Sequence, residues 1–356
     1  MIRRFKVSNF RCLESAELEL SPSFNMVYGA NASGKTSLLE ALAYLGRGKS
    51  FRGASTANLI RHGSTEFVLF GETQTEARAQ RLGVRNSREG LEIRVDGSGD
   101  GGAAALADAL PLQVIDPEVH SLVAGGPELR RRFVDWVAFH VEHDHLDSWR
   151  RFRRALKQRN AALKAKSSLA SIRSWNAEFV DLSLALDESR RRALDVAMDS
   201  LAEYGLSLLG TELGFEYQRG WNKDKSLEQS LEEGLERDVQ QGASQHGPHR
   251  ADLKIRYDER QARKLVSRGQ QKLLASAMIL AATETAQTAL ERPLLLLLDD
   301  PAAELDADSL SRLLDAVLGL GCQVVATSLE KGALSVPAGS AMFHVEHGVL
   351  RRDEST

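Results

Sequence analysis

The sequence predicts an α/β fold: a mixed sheet shared by both ends of the chain, an antiparallel β meander, and an α-helical lobe inserted between the two ends. Three observations predict it. Strand-like and helical runs alternate near both termini, the pattern of a layered α/β domain. Short β-like runs follow one another between residues 66 and 116, punctuated by Gly and Ser. From residue 146 to about 209, apolar residues keep helical spacing with no proline among them.

The elements follow in order. Phe5, Val7 and Phe10 mark a first strand, and Met26, Val27 and Tyr28 a second that enters a glycine loop. Thr36 to Leu45 predicts a helix with Leu38, Leu39, Ala41, Leu42 and Leu45 as its apolar stripe. "EFVLFGE", "QRLGVR", "LEIRV" and "LPLQVID" predict the meander, with "DGSGDGG" at 96–102 as a mobile tip. Leu146, Trp149, Phe152, Leu156 and Leu163 predict one long helix. Trp175, Phe179, Leu182, Leu186, Ala193, Val196 and Leu201 predict its antiparallel partner, and the stripe reads as packing. "ADLKIRY" returns to strand, then come an apolar helix after Ser267, the strand "PLLLLLDD", a helix near Ser309–Leu318, the strand "CQVVATS" and a short β-like tail.

Composition narrows the class. The 356 residues are 42% hydrophobic and 27% charged with a net charge of −3, so a nucleic-acid partner needs a local basic patch. The two cysteines, Cys12 and Cys322, have no CxxC or Cys/His spacing, which predicts reduced thiols and no structural zinc. The N-terminus alternates charge and apolarity, unlike a signal peptide. No run reaches the roughly 18 apolar residues of a membrane span. A cytoplasmic protein with no membrane partner is expected.

Three motifs carry chemistry. Gly29, Ala30, Asn31, Ala32, Ser33, Gly34, Lys35 and Thr36 match G-x-x-x-x-G-K-[ST] between a predicted strand and helix. The backbone amides would wrap a β-phosphate, Lys35 would neutralise β/γ oxygens, and the Thr36 hydroxyl would ligate Mg²⁺. The run Leu294–Leu298 predicts a strand covered on both faces, ending in Asp299 and Asp300. Asp299 would orient water around Mg²⁺ and Asp300 would polarise the attacking water; a pair capping the following helix is the alternative. In "LVSRGQQKLLASAMILA", Ser267, Arg268, Gly269 and Gln270 place backbone N–H groups at a helix start, a second anion-binding position.

Together and in this order, the motifs resemble the head domain of the ABC-type ATPases, with Val266 to Gln270 standing where that superfamily has Leu-Ser-Gly-Gly-Gln. The resemblance implies that Ser267, Gly269 and Gln270 of one protomer cap ATP held by another. "NFRC", "DPEV", "GGPELRRRFVDW", "FHVEH", "RALKQRNAAL", "GPHRADL" and "LLLDDPAAELD" narrow it to the RecF family, SMC-type heads without the long coiled coil, over nearly the full length. That implies an ATP-dependent homodimer holding single-stranded or gapped duplex DNA with slow ATP hydrolysis. It also implies partnership with RecO and RecR in loading RecA, a part in SOS induction and replication restart, and a place at the nucleoid. The domains implied are 1–118 (first part of the ATPase lobe), 119–272 (second lobe, ending in the Ser267 loop) and 273–356 (remainder of the ATPase lobe).

The chain departs from the family pattern at several points. Ala32 replaces a glycine within the loop, which costs about 1 kcal/mol if φ is positive there. Asp300 stands where most ABC ATPases have Glu, and Ala303 where they have a serine. Thr327 and Ser328 replace a switch histidine, with one hydroxyl expected on the γ-phosphate.

For DNA, Arg150, Arg151, Arg153, Arg154, Lys157, Arg159, Lys164 and Lys166 lie between positions 150 and 166 with no acid among them. Such a cluster suits phosphate contact, and a solvated helix face is the plain alternative. Arg130, Arg131 and Arg132 form a second cluster that could instead brace the joint between lobes. His249, Arg250 and Asp252 have no nucleophile nearby and read as a structural hydrogen-bond knot. The rival to the DNA clamp is the nucleotide-binding subunit of an ABC transporter.

Overall fold

The computed structural model describes residues 1–75, 78–257, 260–262, 266–303 and 305–353. Leu265 and Glu304 of the motifs above fall outside them. The chain forms two units, Met1–Val119 with Glu291–Thr356, and His120–Leu290. The apolar helix after Ser267 spans Arg268–Leu290 and lies in the second unit, whereas its body, from residue 273, was expected in the first.

In the first unit, β1 (Ile2–Phe10), β2 (Leu13–Glu19), β4 (Glu66–Gln74), β5 (Ala79–Ser87) and β6 (Gly90–Val95) make an antiparallel sheet of order β2-β1-β4-β5-β6. β2 was not anticipated, because "LESAELE" alternates too weakly to announce a strand. A register shift between Ile2 and Arg4 lets both Ile2 and Phe5 face the core three positions apart.

The second sheet is mixed. β3 (Phe24–Tyr28), β7 (Leu112–Ile115), β11 (Leu295–Leu298), β12 (Gln323–Ser328), β13 (Ala341–Glu346) and β14 (Val349–Arg352) run in the order β14-β13-β3-β12-β11-β7. All pairs are parallel except β13 with β14. "LPLQVID" thus joins the parallel sheet as β7 and not the meander, and its four residues are buried. A helix at Gly102–Ala109 follows the loop tip, unforeseen from its alanines. One apolar core joins both sheets through the Lys35–Arg47 helix, with Phe5, Phe10, Leu38, Leu42, Phe67, Leu295 and Val325 all buried.

The second unit is helical around a small sheet. The Pro127–Val141, His145–Lys164 and Asn176–Leu209 helices precede β8 (Leu213–Gln218), which pairs antiparallel with β9 (Asp252–Tyr257); β9 pairs with β10 (Arg260–Gln261). "ADLKIRY" therefore belongs to a separate sheet. Phe152, Phe179, Leu182, Leu186 and Leu231 form a core between the two long helices and the segment after β8. The Arg268–Leu290 helix is long and apolar enough to cross a membrane by composition, yet it is mostly buried inside the protein.

Candidate nucleotide-binding site and the cationic helix

β3 carries the chain into the Gly29–Thr36 loop, and Gly34 caps the helix that follows. No acid occupies that helix's first turn, so its positive end is uncompensated. Gly29 has φ 156 and a Cβ there would lie 2.2 Å from the Val345 carbonyl oxygen; Gly34 has φ 120. These backbones close because both positions are glycine. Ala32 sits at φ 60, left-handed, so the strain expected for alanine is present. The Ser33 carbonyl accepts from the Gly348 N–H at 2.8 Å, in the β13–β14 turn, which pins the loop from outside.

Lys35 Nζ donates to the carbonyls of Gly29 (2.7 Å) and Ala30 (3.0 Å), arching over the loop. Burial lowers its pKa, while Asp300 and Asp299 pull it back up. Thr36 Oγ1 donates to Asp299 Oδ1 at 3.0 Å. Asp299 stands just past β11, and its N–H donates to the Ile115 carbonyl of β7 at 2.9 Å. Asp300 takes φ 48, a second strained non-glycine position.

Thr327, near the end of β12, donates its hydroxyl to Asp299 Oδ1 at 2.9 Å and accepts the Asp300 N–H at 2.9 Å. A hydroxyl has one proton, and here it is spent on Asp299. Ser328 Oγ donates to the Glu330 carbonyl at 2.6 Å. One of these two hydroxyls was expected on the γ-phosphate; in this structure each donates to a protein oxygen instead. Asp116, the first residue of "DPEV", belongs to this neighbourhood, and sequence reasoning assigned it no role. Burial raises its carboxyl above the ordinary range, and the Asp299 charge adds to the rise.

The loop fits a nucleotide triphosphate. The buried Ser33 Oγ has no hydrogen-bond partner among the described residues, and the Lys35 ammonium donates to the Gly29 and Ala30 carbonyls. A hydroxyl and one carboxylate form a hard oxygen set suited to Mg²⁺, which completes its shell with phosphates and water. No cluster of three or more His, Cys, Asp or Glu ready for a metal occurs among the described residues.

Ser267 caps the Arg268–Leu290 helix reciprocally: its Oγ accepts the Gln270 N–H at 3.3 Å, and Gln270 Oε1 accepts the Ser267 N–H at 2.9 Å. Ser267, Arg268 and Gln270 are exposed, and a Cβ on Gly269 would meet nothing within 4 Å.

The cationic cluster divides in two. Arg150, Arg151, Arg153, Arg154, Lys157 and Lys164 are exposed, and all but Arg151 repeat at helical spacing along one face. Arg153 lies 4.8 Å from the Trp149 ring centroid, and Arg151 is 3.8 Å from Asp147. Arg159 is a correction: it is 0% exposed and cannot reach DNA. It donates to Asp238 Oδ2 (2.8 Å), Ser244 Oγ (2.6 Å) and Asn176 Oδ1 (3.1 Å), beneath the Phe179 ring. Positions 152, 155, 159 and 163 are the buried stripe of this helix, so the spacing itself carried the signal.

The second arginine cluster is a brace within the second unit. Buried Arg130 forks onto Asp252 at 2.7 and 3.1 Å, and Arg131 donates to the Ala251 carbonyl at 2.7 Å. Burial alone would raise the Asp252 carboxyl, but Arg130 wins and holds it below the ordinary range. His249 Nε2 contacts the Ser244 carbonyl at 2.8 Å and its ring stacks on Phe152; burial drives the imidazole down to about 4. The knot expected of "GPHRADL" is there.

A P-loop threonine meeting a carboxylate two strands away in a mixed sheet, with a β meander on one side and a helical insertion in the chain, defines an ABC-type P-loop ATPase head. The family model described as RecF/RecN/SMC N terminal domain matches residues 1–350. The DNA replication and repair protein RecF of Yersinia enterocolitica is 40% identical over 353 residues, 98% of each chain. The chain belongs to the RecF family. The solved recombination mediator protein RecF-ATP of the RecFOR pathway superposes with a TM-score of 0.89 at 23% identity, covering 99% of this chain and 97% of that one. An Smc head bound to the C-winged helix domain of ScpA gives 0.61 at 15% identity, over 99% and 96%, a likeness of fold.

Proposed function

We propose that this chain is an ATP-dependent DNA-binding clamp of DNA replication and repair. It binds ATP and Mg²⁺ at the Gly29–Thr36 loop, dimerises on ATP, holds gapped duplex or single-stranded DNA, and hydrolyses ATP slowly. RecO and RecR are its proposed partners in loading RecA, with a part in SOS induction. The observation that carries the reading is the convergence of Thr36 and Thr327 on one oxygen of Asp299, beside a loop whose Ala32 holds a left-handed φ of 60.

The chemistry is divided among the chain's own groups. Loop amides and the helix start receive the phosphates, and Lys35 turns from the loop carbonyls to the β/γ oxygens. Mg²⁺, held by Thr36 and through water by Asp299, would neutralise charge developing between those oxygens. Asp300 accepts the proton of the attacking water. Its side chain is one methylene shorter than glutamate, which suits slow turnover. Ser267, Gly269 and Gln270 of the second protomer close over the γ-phosphate, so closure requires ATP. Arg150, Arg151, Arg153, Arg154 and Lys157 offer the DNA a cationic face. The transporter-subunit reading has no observation in its favour, since relatives matched over nearly the whole chain are RecF proteins.

Light scattering with ATP·Mg²⁺ and with ADP·Mg²⁺ tests the reading. A dimer with ATP and a monomer with ADP is the expected result; a monomer in both rejects ATP-driven closure.

A further inference from the structure

We propose that Thr327 is the positioning residue of the Asp299–Asp300 pair, not a sensor of the γ-phosphate; this rests on the ATPase reading above. β12 lies between β3, which leads to the P-loop, and β11, which leads to Asp299. Thr36 must therefore reach across the end of β12 to meet Asp299, and Thr327 stands at that crossing. Its register partners place it: Ala326 pairs with Leu298, and Thr327 itself pairs with Val27.

One hydroxyl serves both carboxylate-bearing residues by different routes. The Oγ1 proton goes to the Asp299 side chain, and the Oγ1 lone pair takes the backbone N–H of Asp300. Asp300 holds φ 48, a backbone state that an L-residue leaves unless something fixes it. The N–H bond to Thr327 fixes it, and with it the direction in which the Asp300 carboxylate leaves the chain. Thr327 is fully buried, so no water can replace its hydroxyl. Ser328 is also fully buried and donates to Glu330, and does not share the task.

Three variants separate positioning from mere packing. Thr327→Val keeps the shape and removes both bonds; Thr327→Ser keeps the hydroxyl; Thr327→Cys serves if the valine chain does not fold, because a thiol is a poor donor of similar size. Turnover should fall about ten- to hundredfold in Thr327→Val. KM for ATP should change little, and Thr327→Ser should recover most of the loss. Independently of turnover, fluorescent-ATP binding should need a higher Mg²⁺ concentration in Thr327→Val, while binding in EDTA stays at the wild-type level. Wild-type turnover and Mg²⁺ dependence in the folded valine or cysteine variant would overturn the proposal. If the wild-type chain itself fails to bind and hydrolyse ATP, the ATPase reading falls first, so the two failures are distinct.

Discussion

Thr36 and Asp299 lie 263 positions apart in the chain, and the hydroxyl of one donates to the carboxylate of the other at 3.0 Å. That bond joins the two ends of the sequence at a single oxygen. It also states why the loop and the leucine strand must share one sheet, with the helical unit inserted between them in the chain.

Lys35→Met removes the one ammonium that arches over the loop. ATP-dependent dimerisation should be abolished while the fold persists, since the buried charge is replaced by an apolar chain of similar length. Light scattering with ATP·Mg²⁺ reads it, and an undiminished dimer argues against the shared site.

Ser267→Arg should leave ATP binding by a single protomer intact and block the dimer. The helix cap is lost as well, so thermal stability should drop by about 1 kcal/mol. Nucleotide titration followed by light scattering separates these effects; loss of single-protomer binding would contradict a role across the dimer.

Ala32→Gly should stabilise the chain. Relief of the left-handed strain at φ 60 outweighs the added freedom of the unfolded chain, for a net gain of roughly 0.5–1 kcal/mol. Denaturant unfolding reports it, and a loss would mean that the loop gains nothing from relaxing.

Arg159 and Arg154 look alike in sequence and should behave oppositely. Arg159→Met leaves Asp238 as a buried, unpaired charge and should cost about 3–5 kcal/mol of stability. Arg154→Ala should spare stability and reduce the salt slope of DNA binding by about 0.9. Paired unfolding and salt titrations check both, and a stable Arg159→Met would deny the core role.

His249 gives stability a pH dependence. Its folded pKa, about 4, lies below the ordinary 6.5, so the unfolded chain binds the extra proton between these values. Stability from this group is full above pH 6.5 and falls as pH drops toward 4, by up to about 3 kcal/mol. The His249 Nδ1 atom has no hydrogen-bond partner among the described residues, so a proton there gains nothing. In His249→Phe that part of the pH slope should vanish.

Much of this was legible in sequence because it is local. The glycine loop, the leucine run and the Ser267 helix start each announce themselves within a few residues, and the strands that lead into the first two share one sheet. What stayed hidden is non-local. Thr327 hydrogen-bonds to Asp299 because β12 runs between β3 and β11, an order no periodicity reveals. Arg159 was read by its charge when its spacing, with Phe152 and Leu163, placed it among core residues. β9 was legible as a strand but not its sheet, because a strand's pattern does not name its partner, here β8.

The most direct test of an ATP-gated clamp is fluorescence anisotropy on a gapped duplex with ATP·Mg²⁺, with ADP·Mg²⁺ and without nucleotide, for the wild type and Ser267→Arg. Tight binding with ATP alone, lost in the variant, is what closure of a dimer around DNA predicts. Equal, weak binding in all three states would contradict it, leaving an ATPase without a clamp.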